Sequence, residues 1–184
     1  MRITRAGLGW AAGAGLAVVA SLGELGAQHV GRDFHVFWEA GRDFASGAPL
    51  YQPAPGARRF KYPPFAAMVF QPLGWLPLPV AAVGFHALGL LLLAFAGAAT
   101  WRIAESWAPG RRRGPLPMVL AVAVVLHLAQ SDLLHLQTNT LVLALSLAGV
   151  LAAARERPGP AAAWITAATL IKLTPAVLLG WLAV

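Results

Sequence analysis

Long apolar runs alternate with short polar segments along the chain. A helix needs about 20 apolar residues to cross a bilayer, and the pattern predicts spans at about residues 7–27, 78–101, 115–133, 139–154 and 161–184. In the last run, Lys172 and Pro175 predict a helix that is broken over 172–175. We therefore expect an all-α, polytopic transmembrane protein in which residues 1–184 form a single domain.

The longest polar stretch, residues 28–62, is predicted to be an outer loop, because Arg2 and Arg5 place the N-terminus in the cytoplasm. Within this loop, apolar residues recur at the spacing of an amphipathic helix that lies in the membrane interface; they are Phe34, Phe37, Trp38, Gly41, Phe44 and Ala45. Pro63 and Pro64 then begin a segment, residues 64–76, that we expect to dip into the membrane without crossing it.

The composition agrees with a membrane protein. Hydrophobic residues make up 58% of the chain and charged residues 11%, against about 25% charged in soluble domains, which excludes a water-soluble monomer. The chain has no cysteine, which excludes disulfides and thiolate metal sites. Its net charge of +7 lies at the ends of apolar runs, where basic residues set topology or contact lipid phosphates rather than nucleic acid.

Asp33 is the first candidate for chemistry. It borders the apolar face of the interfacial helix, and a carboxylate there suits a general base for a hydroxyl. The competing interpretation is a helix N-cap. Asp43 occurs in a second Gly-Arg-Asp-Phe copy ten residues later, but ten helical steps rotate it by about 280°, so the two carboxylates do not face one site.

The basic residues Arg58, Arg59 and Lys61 come directly before Tyr62 and the dipping segment. Arginine binds phosphate through two parallel hydrogen bonds, so these cations could clamp a lipid-linked phosphate. Simple snorkelling at the interface is the alternative. Lys172 lies in an apolar run, where an ammonium is costly and usually faces a cavity, a partner or a ligand.

His127, Ser131 and His135 share one helical face beside Asp132. A metal site is conceivable there, but no recognised ligand motif supports it, and we expect neither a metal nor a cofactor. His86 is interpreted as a hydrogen-bonding residue between packed helices.

Several short motifs, in this order, resemble those of glycosyltransferase family 87, whose members are membrane mannosyltransferase-like enzymes of the GT-C fold. The matching residues are Asp33-Phe34 with Trp38, Ala40, Gly47 and Leu50-Tyr51; Lys61-Tyr62-Pro63-Pro64-Phe65 with Pro72-Leu73; Leu136-Gln137-Thr138-Asn139; and Ile171-Lys172-Leu173-Thr174-Pro175. The chain departs from the family at Leu136, where relatives typically have glycine.

The resemblance implies an inverting hexosyltransferase on the extracytoplasmic face of a bacterial-type plasma membrane. A polyprenyl-phosphate sugar, by analogy mannose, would be the donor and a lipid or glycan hydroxyl the acceptor. Asp33 would be the base and Lys172 would stabilise the leaving phosphate. The remaining substrate-binding residues that the resemblance suggests are Arg58, Arg59, Lys61, Tyr62, His135, Gln137 and Asn139.

Two other functions stay open at this point. Transporters and flippases also combine broken helices with buried charges. An inactive, truncated relative is the other alternative, because GT-C enzymes have more spans than the five predicted here. We expect the chain to be an N-terminal fragment of a longer protein.

Overall fold

The computed structural model describes residues 31–52, 59–107 and 129–182. Regular structure in these ranges is helical throughout, with no strand. The helices whose two ends lie within the described residues are α1 (Arg32–Ser46), α2 (Pro64–Gly74), α3 (Leu78–Trp107), α4 (Asn139–Ala153), α5 (Pro158–Ile171) and α6 (Ala176–Leu182); residues 129–134 are also helical. The predicted all-α class is confirmed. The predicted span 7–27, most of 115–133, Arg58 and His127 lie outside the described residues.

Helix α1 is the amphipathic helix predicted for the first outer loop. It starts after Gly31 (φ 79°) and ends before Gly47 (φ 72°), two left-handed positions that glycine adopts without a steric penalty. Asp33 lies in its first turn, the N-cap residue is Gly31, and no side chain caps the helix. The N-cap interpretation of Asp33 is therefore wrong.

Helix α1 packs closely against α2 because two glycines leave room for backbone contact. A Cβ atom added at Gly41 would lie 2.6 Å from the carbonyl oxygen of Phe70, and one added at Gly74 would lie 2.8 Å from the backbone nitrogen of Arg42. Both distances are shorter than a carbon atom tolerates, so the two helices could not approach in this way with larger residues.

An aromatic core fills the space between α1, α2 and the start of α3. Ring centroids lie 4.9 Å apart for Phe37 and Phe70 and 5.1 Å apart for Phe34 and Phe85, distances at which aromatic pairs add to the burial energy. Phe34 and Phe37 are almost completely buried, whereas Phe44, on the last turn of α1, is 37% exposed. The core thus holds the N-terminal half of α1, which carries Asp33.

Helix α3 has 30 residues and is, within the described ranges, the one helix long and apolar enough to cross a membrane. At about 1.5 Å per residue it is roughly 45 Å long, more than the hydrocarbon thickness of about 30 Å. It extends beyond the predicted end at residue 101 to Trp107. Helix α4 is apolar but has 15 residues. The further spans remain predictions.

Helix α5 runs back along α4, and Gly149 faces Ile165 so closely that an added Cβ would lie 2.5 Å from its Cγ1 atom. The helical path is interrupted after Ile171. Lys172 has an extended backbone (φ −148°, ψ 128°), and α6 begins at Ala176. This interruption falls within the predicted break at 172–175, and it releases Lys172 from the helical register.

Candidate functional site

Four polar side chains form a continuous hydrogen-bonded series, which we call the relay. The Lys172 ammonium donates to Asn139 Oδ1 at 2.6 Å. Asn139 Nδ2 donates to Gln137 Oε1 at 2.7 Å, and Gln137 Nε2 donates to Asp33 Oδ2 at 2.9 Å. All four members were candidates from the sequence, and the fold brings them together from three distant segments.

The direction of the relay follows from the chemistry of its two ends. An ammonium can only donate and a carboxylate can only accept. Asn139 must therefore present its oxygen to Lys172 and its amide nitrogen to Gln137, which in turn presents its nitrogen to Asp33. Every hydrogen bond points from the cation towards the anion, so the two amides are held in one orientation.

A buried carboxylate fixes the segment that carries Gln137 and Asn139. Asp132 is 8% exposed, and its Oδ2 atom accepts hydrogen bonds from the backbone nitrogen of Thr140 at 2.9 Å and from the Thr140 hydroxyl. These bonds tie the helical turn at residues 129–134 to the first turn of α4. The intervening residues, Gln137 among them, are held between these two anchors.

Leu136 explains how this segment meets α1. Its φ of 50° is left-handed, which is costly for a residue with a Cβ atom, and its side chain is 2% exposed. A Cβ atom added at Gly31 would lie 3.3 Å from Leu136 Cδ1, so Leu136 packs against the residue that begins α1. A left-handed backbone would suit glycine at this position, which is the residue that the family resemblance leads us to expect there.

Asp33 also lines a pocket. The pocket has a volume of about 380 Å³ and is lined by Asp33, Val36, Phe37, Arg59, Lys61 and Tyr62. Lys172, Asn139 and Gln137 are not part of its lining. Asp33 thus belongs both to the relay and to this pocket, which we call the basic pocket.

Tyr62 is held firmly in the wall of the basic pocket. Its ring centroid lies 4.6 Å from that of Phe37, and the hydroxyl of Tyr51 donates to its carbonyl oxygen at 3.0 Å. Burial raises the pKa of the Tyr62 hydroxyl, and the negative charge of Asp33 raises it further. The hydroxyl therefore stays protonated at neutral pH and can donate a hydrogen bond.

The other sequence candidates are placed differently. His135 is exposed, its Nδ1 atom lies 2.8 Å from the carbonyl oxygen of Ser131, and it belongs to neither the relay nor the lining of the basic pocket. Arg58 lies outside the described residues. Within residues 31–52, 59–107 and 129–182, no group of three or more metal-ligating side chains occurs.

Sequence reasoning missed the anchoring role of Asp132 and Thr140. In the sequence, Asp132 stands out only as a neighbour of the helical face that carries His127, Ser131 and His135. Its partner lies eight residues away, on the far side of a turn, so no helical or strand periodicity connects the two. An aspartate next to an apolar run, a few residues before the predicted start of the next span, is the sequence signal that could have indicated this contact.

Residues 60–184 match the sequence profile described as "Glycosyltransferase family 87". The chain belongs to glycosyltransferase family 87. Family membership confirms the resemblance that the short motifs indicated. The matched range contains Gln137, Asn139 and Lys172, whereas Asp33 precedes it.

Two curated relatives carry the same name, "Polyprenol-phosphate-mannose-dependent alpha-(1-2)-phosphatidylinositol mannoside mannosyltransferase". The chain is 31% identical to the Mycobacterium tuberculosis protein over 77% of its own length and 35% of the relative's. It is 31% identical to the Mycolicibacterium smegmatis protein over 80% and 37% of the two lengths. The chain thus spans about a third of the length of these relatives. No solved structure matches it.

Proposed function

We propose that this chain forms the outer catalytic site of a membrane mannosyltransferase. The enzyme transfers mannose from a polyprenyl-phosphate donor to a hydroxyl of a lipid or glycan acceptor. The relay carries this proposal, because it joins an acid and a cation through one hydrogen-bonded series. The names of the two relatives support a lipid-linked mannose donor and a mannosylated phosphatidylinositol acceptor.

In the proposed reaction, Asp33 accepts the proton of the acceptor hydroxyl as its oxygen attacks the anomeric carbon of the donor. The bond between that carbon and the phosphate oxygen breaks, and the electron pair leaves with the phosphate. Lys172 stabilises the negative charge that develops on the leaving group. Attack opposite the leaving group inverts the anomeric configuration.

The length of the relay fits this assignment. Three hydrogen bonds of 2.9, 2.7 and 2.6 Å and two amides of roughly 2.3 Å each limit the distance between Asp33 Oδ2 and Lys172 Nζ to about 13 Å. Inverting glycoside hydrolases place their acting carboxyl groups roughly 6.5–9.5 Å apart. A cation that hydrogen-bonds to the leaving phosphate lies about 3 Å beyond the phosphate oxygen. The resulting distance between the base and the cation is shorter than the upper limit that the relay sets.

The amides of Gln137 and Asn139 have a positioning role in this proposal. Gln137 donates to one Asp33 oxygen and so fixes the plane of the carboxylate that takes the proton of the acceptor. Asn139 accepts one of the three ammonium protons of Lys172, so two remain for the phosphate. The site lies on the extracytoplasmic face, as expected for a loop between a cytoplasmic N-terminus and the first full return span.

The decisive experiment compares two isosteric variants on the same helix. Transfer of labelled mannose from polyprenyl-phosphate mannose to membrane lipid is measured for the protein in its full reading frame. Asp33→Asn should lower transfer by at least roughly 100-fold, because the amide cannot accept the proton. The control is Asp43→Asn, which changes the equivalent residue of the second Gly-Arg-Asp-Phe copy and should transfer normally.

Unchanged transfer by Asp33→Asn would remove this residue from the mechanism. Absence of transfer in both variants and in the unmodified protein, together with Lys172-dependent movement of the lipid across vesicles, would instead support the transporter alternative.

A further inference from the structure

Asp33 is associated with cationic groups through two different sets of residues. Lys172 is connected to it through two amides, whereas Arg59 and Lys61 line the same pocket as the carboxylate itself. The family resemblance assigns all three cations to one leaving phosphate. Lys172 is not among the residues that line the basic pocket, and this separation favours two anion sites over one.

We propose that the basic pocket binds the phosphodiester headgroup of a hydroxyl-bearing acceptor lipid, separately from the donor phosphate at Lys172. The inference rests on the proposed function, in which Asp33 takes the proton of the acceptor. What it adds to that function is a second anion site, which places the headgroup of the acceptor in the basic pocket.

The charges of the basic pocket favour a singly charged ligand. Among the described lining residues, Arg59 and Lys61 contribute two positive charges and Asp33 one negative charge, which leaves one positive charge in excess. A phosphodiester carries one negative charge at neutral pH. Arginine adds specificity, because its planar guanidinium can donate two parallel hydrogen bonds to a phosphate.

The remaining walls suit a polyhydroxylated ring. Val36 is the partly exposed apolar side chain of the lining and can contact the carbon-bound face of a sugar or cyclitol, whereas Phe37 lies behind it and is 2% exposed. Tyr62 supplies a hydroxyl that can donate to a ligand oxygen. The carboxylate of Asp33 accepts from a ligand hydroxyl, so cation and base together select a ligand with both groups.

Helix α2 indicates that this ligand is a lipid rather than a soluble phosphate. The helix starts immediately after the basic pocket, at Pro64, and exposes apolar side chains including Met68 and Val69. Trp75, which follows its last residue, is 69% exposed, as is common for tryptophan at the membrane–water interface. Headgroup and acyl chains can thus contact neighbouring parts of one surface.

The test measures binding, not transfer, with two probes on the full-length protein in neutral nanodiscs. The acceptor probe is dioctanoyl phosphatidylinositol, and the donor probe is decaprenyl phosphate. Arg59→Gln and Lys61→Gln should each weaken the acceptor probe about tenfold through loss of a charge-assisted hydrogen bond and leave the donor probe within about twofold. Lys172→Gln should have the opposite pattern.

Arg42→Gln is the matched control, because Arg42 is an exposed cation on α1 that contacts the Trp38 ring at 4.8 Å and does not line the pocket. The Arg42→Gln variant should bind both probes normally. An equally large loss of acceptor-probe binding in this variant would show that surface cations attract anionic lipid in general, and it would overturn the proposal. Equal weakening of decaprenyl phosphate by Lys61→Gln and Lys172→Gln would also overturn it, since one shared anion site would then suffice.

Competition separates the lipid headgroup from free phosphate. Glycerophosphoinositol should displace the acceptor probe, and inorganic phosphate at the same concentration should not; displacement by both would overturn the requirement for a hydroxyl-bearing ligand. These binding results are independent of mannose transfer. A protein with the two-site binding pattern but no transfer would contradict the proposed function, whereas transfer without the pattern would contradict this inference.

Discussion

Gln137 donates a hydrogen bond of 2.9 Å to Asp33 across 104 positions of the chain. This contact joins the first turn of α1 to the segment that precedes α4, and it is the step at which the relay reaches the proposed base. A hydrogen bond to a charged group contributes roughly 1.5–3 kcal/mol. Its loss should therefore affect the orientation of Asp33 more than the overall fold.

Replacement of Gln137 by leucine tests this positioning role. Gln137→Leu should lower kcat for mannose transfer roughly 10- to 100-fold and leave the KM for the donor unchanged, because a misplaced base slows the chemical step. Gln130→Leu, at an exposed position in the preceding helical turn, is the control. An increase in KM with normal kcat would assign Gln137 to substrate binding instead.

Lys172 can be tested with two substitutions that separate charge from hydrogen bonding. Lys172→Met removes both and Lys172→Gln retains a donor for Asn139. Both substitutions should raise the donor KM about tenfold or more, because a charged contact to phosphate is lost. Only Lys172→Met should also leave Asn139 Oδ1 without the hydrogen bond that residue 172 donates. Steady-state kinetics at varied donor concentration provide the measurement, and an unaltered KM in both variants would support snorkelling.

The Tyr62 hydroxyl should titrate above its ordinary range. Tyr51 and Tyr62 are the two tyrosines of the chain, so a Tyr51→Phe background allows Tyr62 to be followed alone by its phenolate absorbance. Asp33→Asn should lower the pKa of Tyr62, because it removes the repulsion of the phenolate, while burial still keeps that pKa raised. An identical titration with and without the Asp33→Asn substitution would show that the two groups do not interact.

The same shift predicts how stability depends on pH. A raised pKa in the folded state means that the protonated phenol is favoured by folding. The contribution of the Tyr62 phenol to the free energy of unfolding is complete below about pH 10. It is lost as the pH rises through the raised pKa of the folded state. Thermal unfolding should therefore show a Tyr62-dependent decrease only in alkaline solution, and Tyr62→Phe should abolish that part of the pH dependence.

Close packing of α1 on α2 can be tested with one methyl group. Gly41→Ala should destabilise the fold by about 1–3 kcal/mol through overpacking, because the new Cβ would meet the Phe70 carbonyl. Gly84→Ala is the control in α3, where nothing lies within 4 Å of the added atom; it should be neutral or stabilising by up to about 1 kcal/mol. Equal unfolding temperatures of Gly41→Ala and the unmodified protein, measured in detergent, would contradict this packing.

The orientation in the membrane has a direct test. Reporter domains fused after Tyr51 and after Gly110 should lie on opposite sides, because α3 lies between them and is long enough to cross. The control is a pair of fusions after Tyr51 and Gly47, which should agree. Two reporters on the same side at Tyr51 and Gly110 would contradict the extracytoplasmic position of Asp33.

Several features were predictable from the sequence because their causes are local. Apolar periodicity and flanking glycines are sufficient to predict α1. Lys172 and Pro175 predict the break in the helix after Ile171. An isolated lysine or aspartate in an apolar context also indicates a functional group wherever the chain folds, since burial of a charge without a partner is costly.

What the sequence by itself determined is thus the helical class, the family and the identity of the polar candidates. The tertiary structure decided which candidates meet. Asp33 could have been an N-cap, and Gln137 and Asn139 could have faced any outer cavity, because contacts between distant segments depend on packing and not on spacing. Close helix contact at Gly41, the left-handed turn at Leu136 and the buried anchor at Asp132 are what bring the acid and Lys172 into one relay.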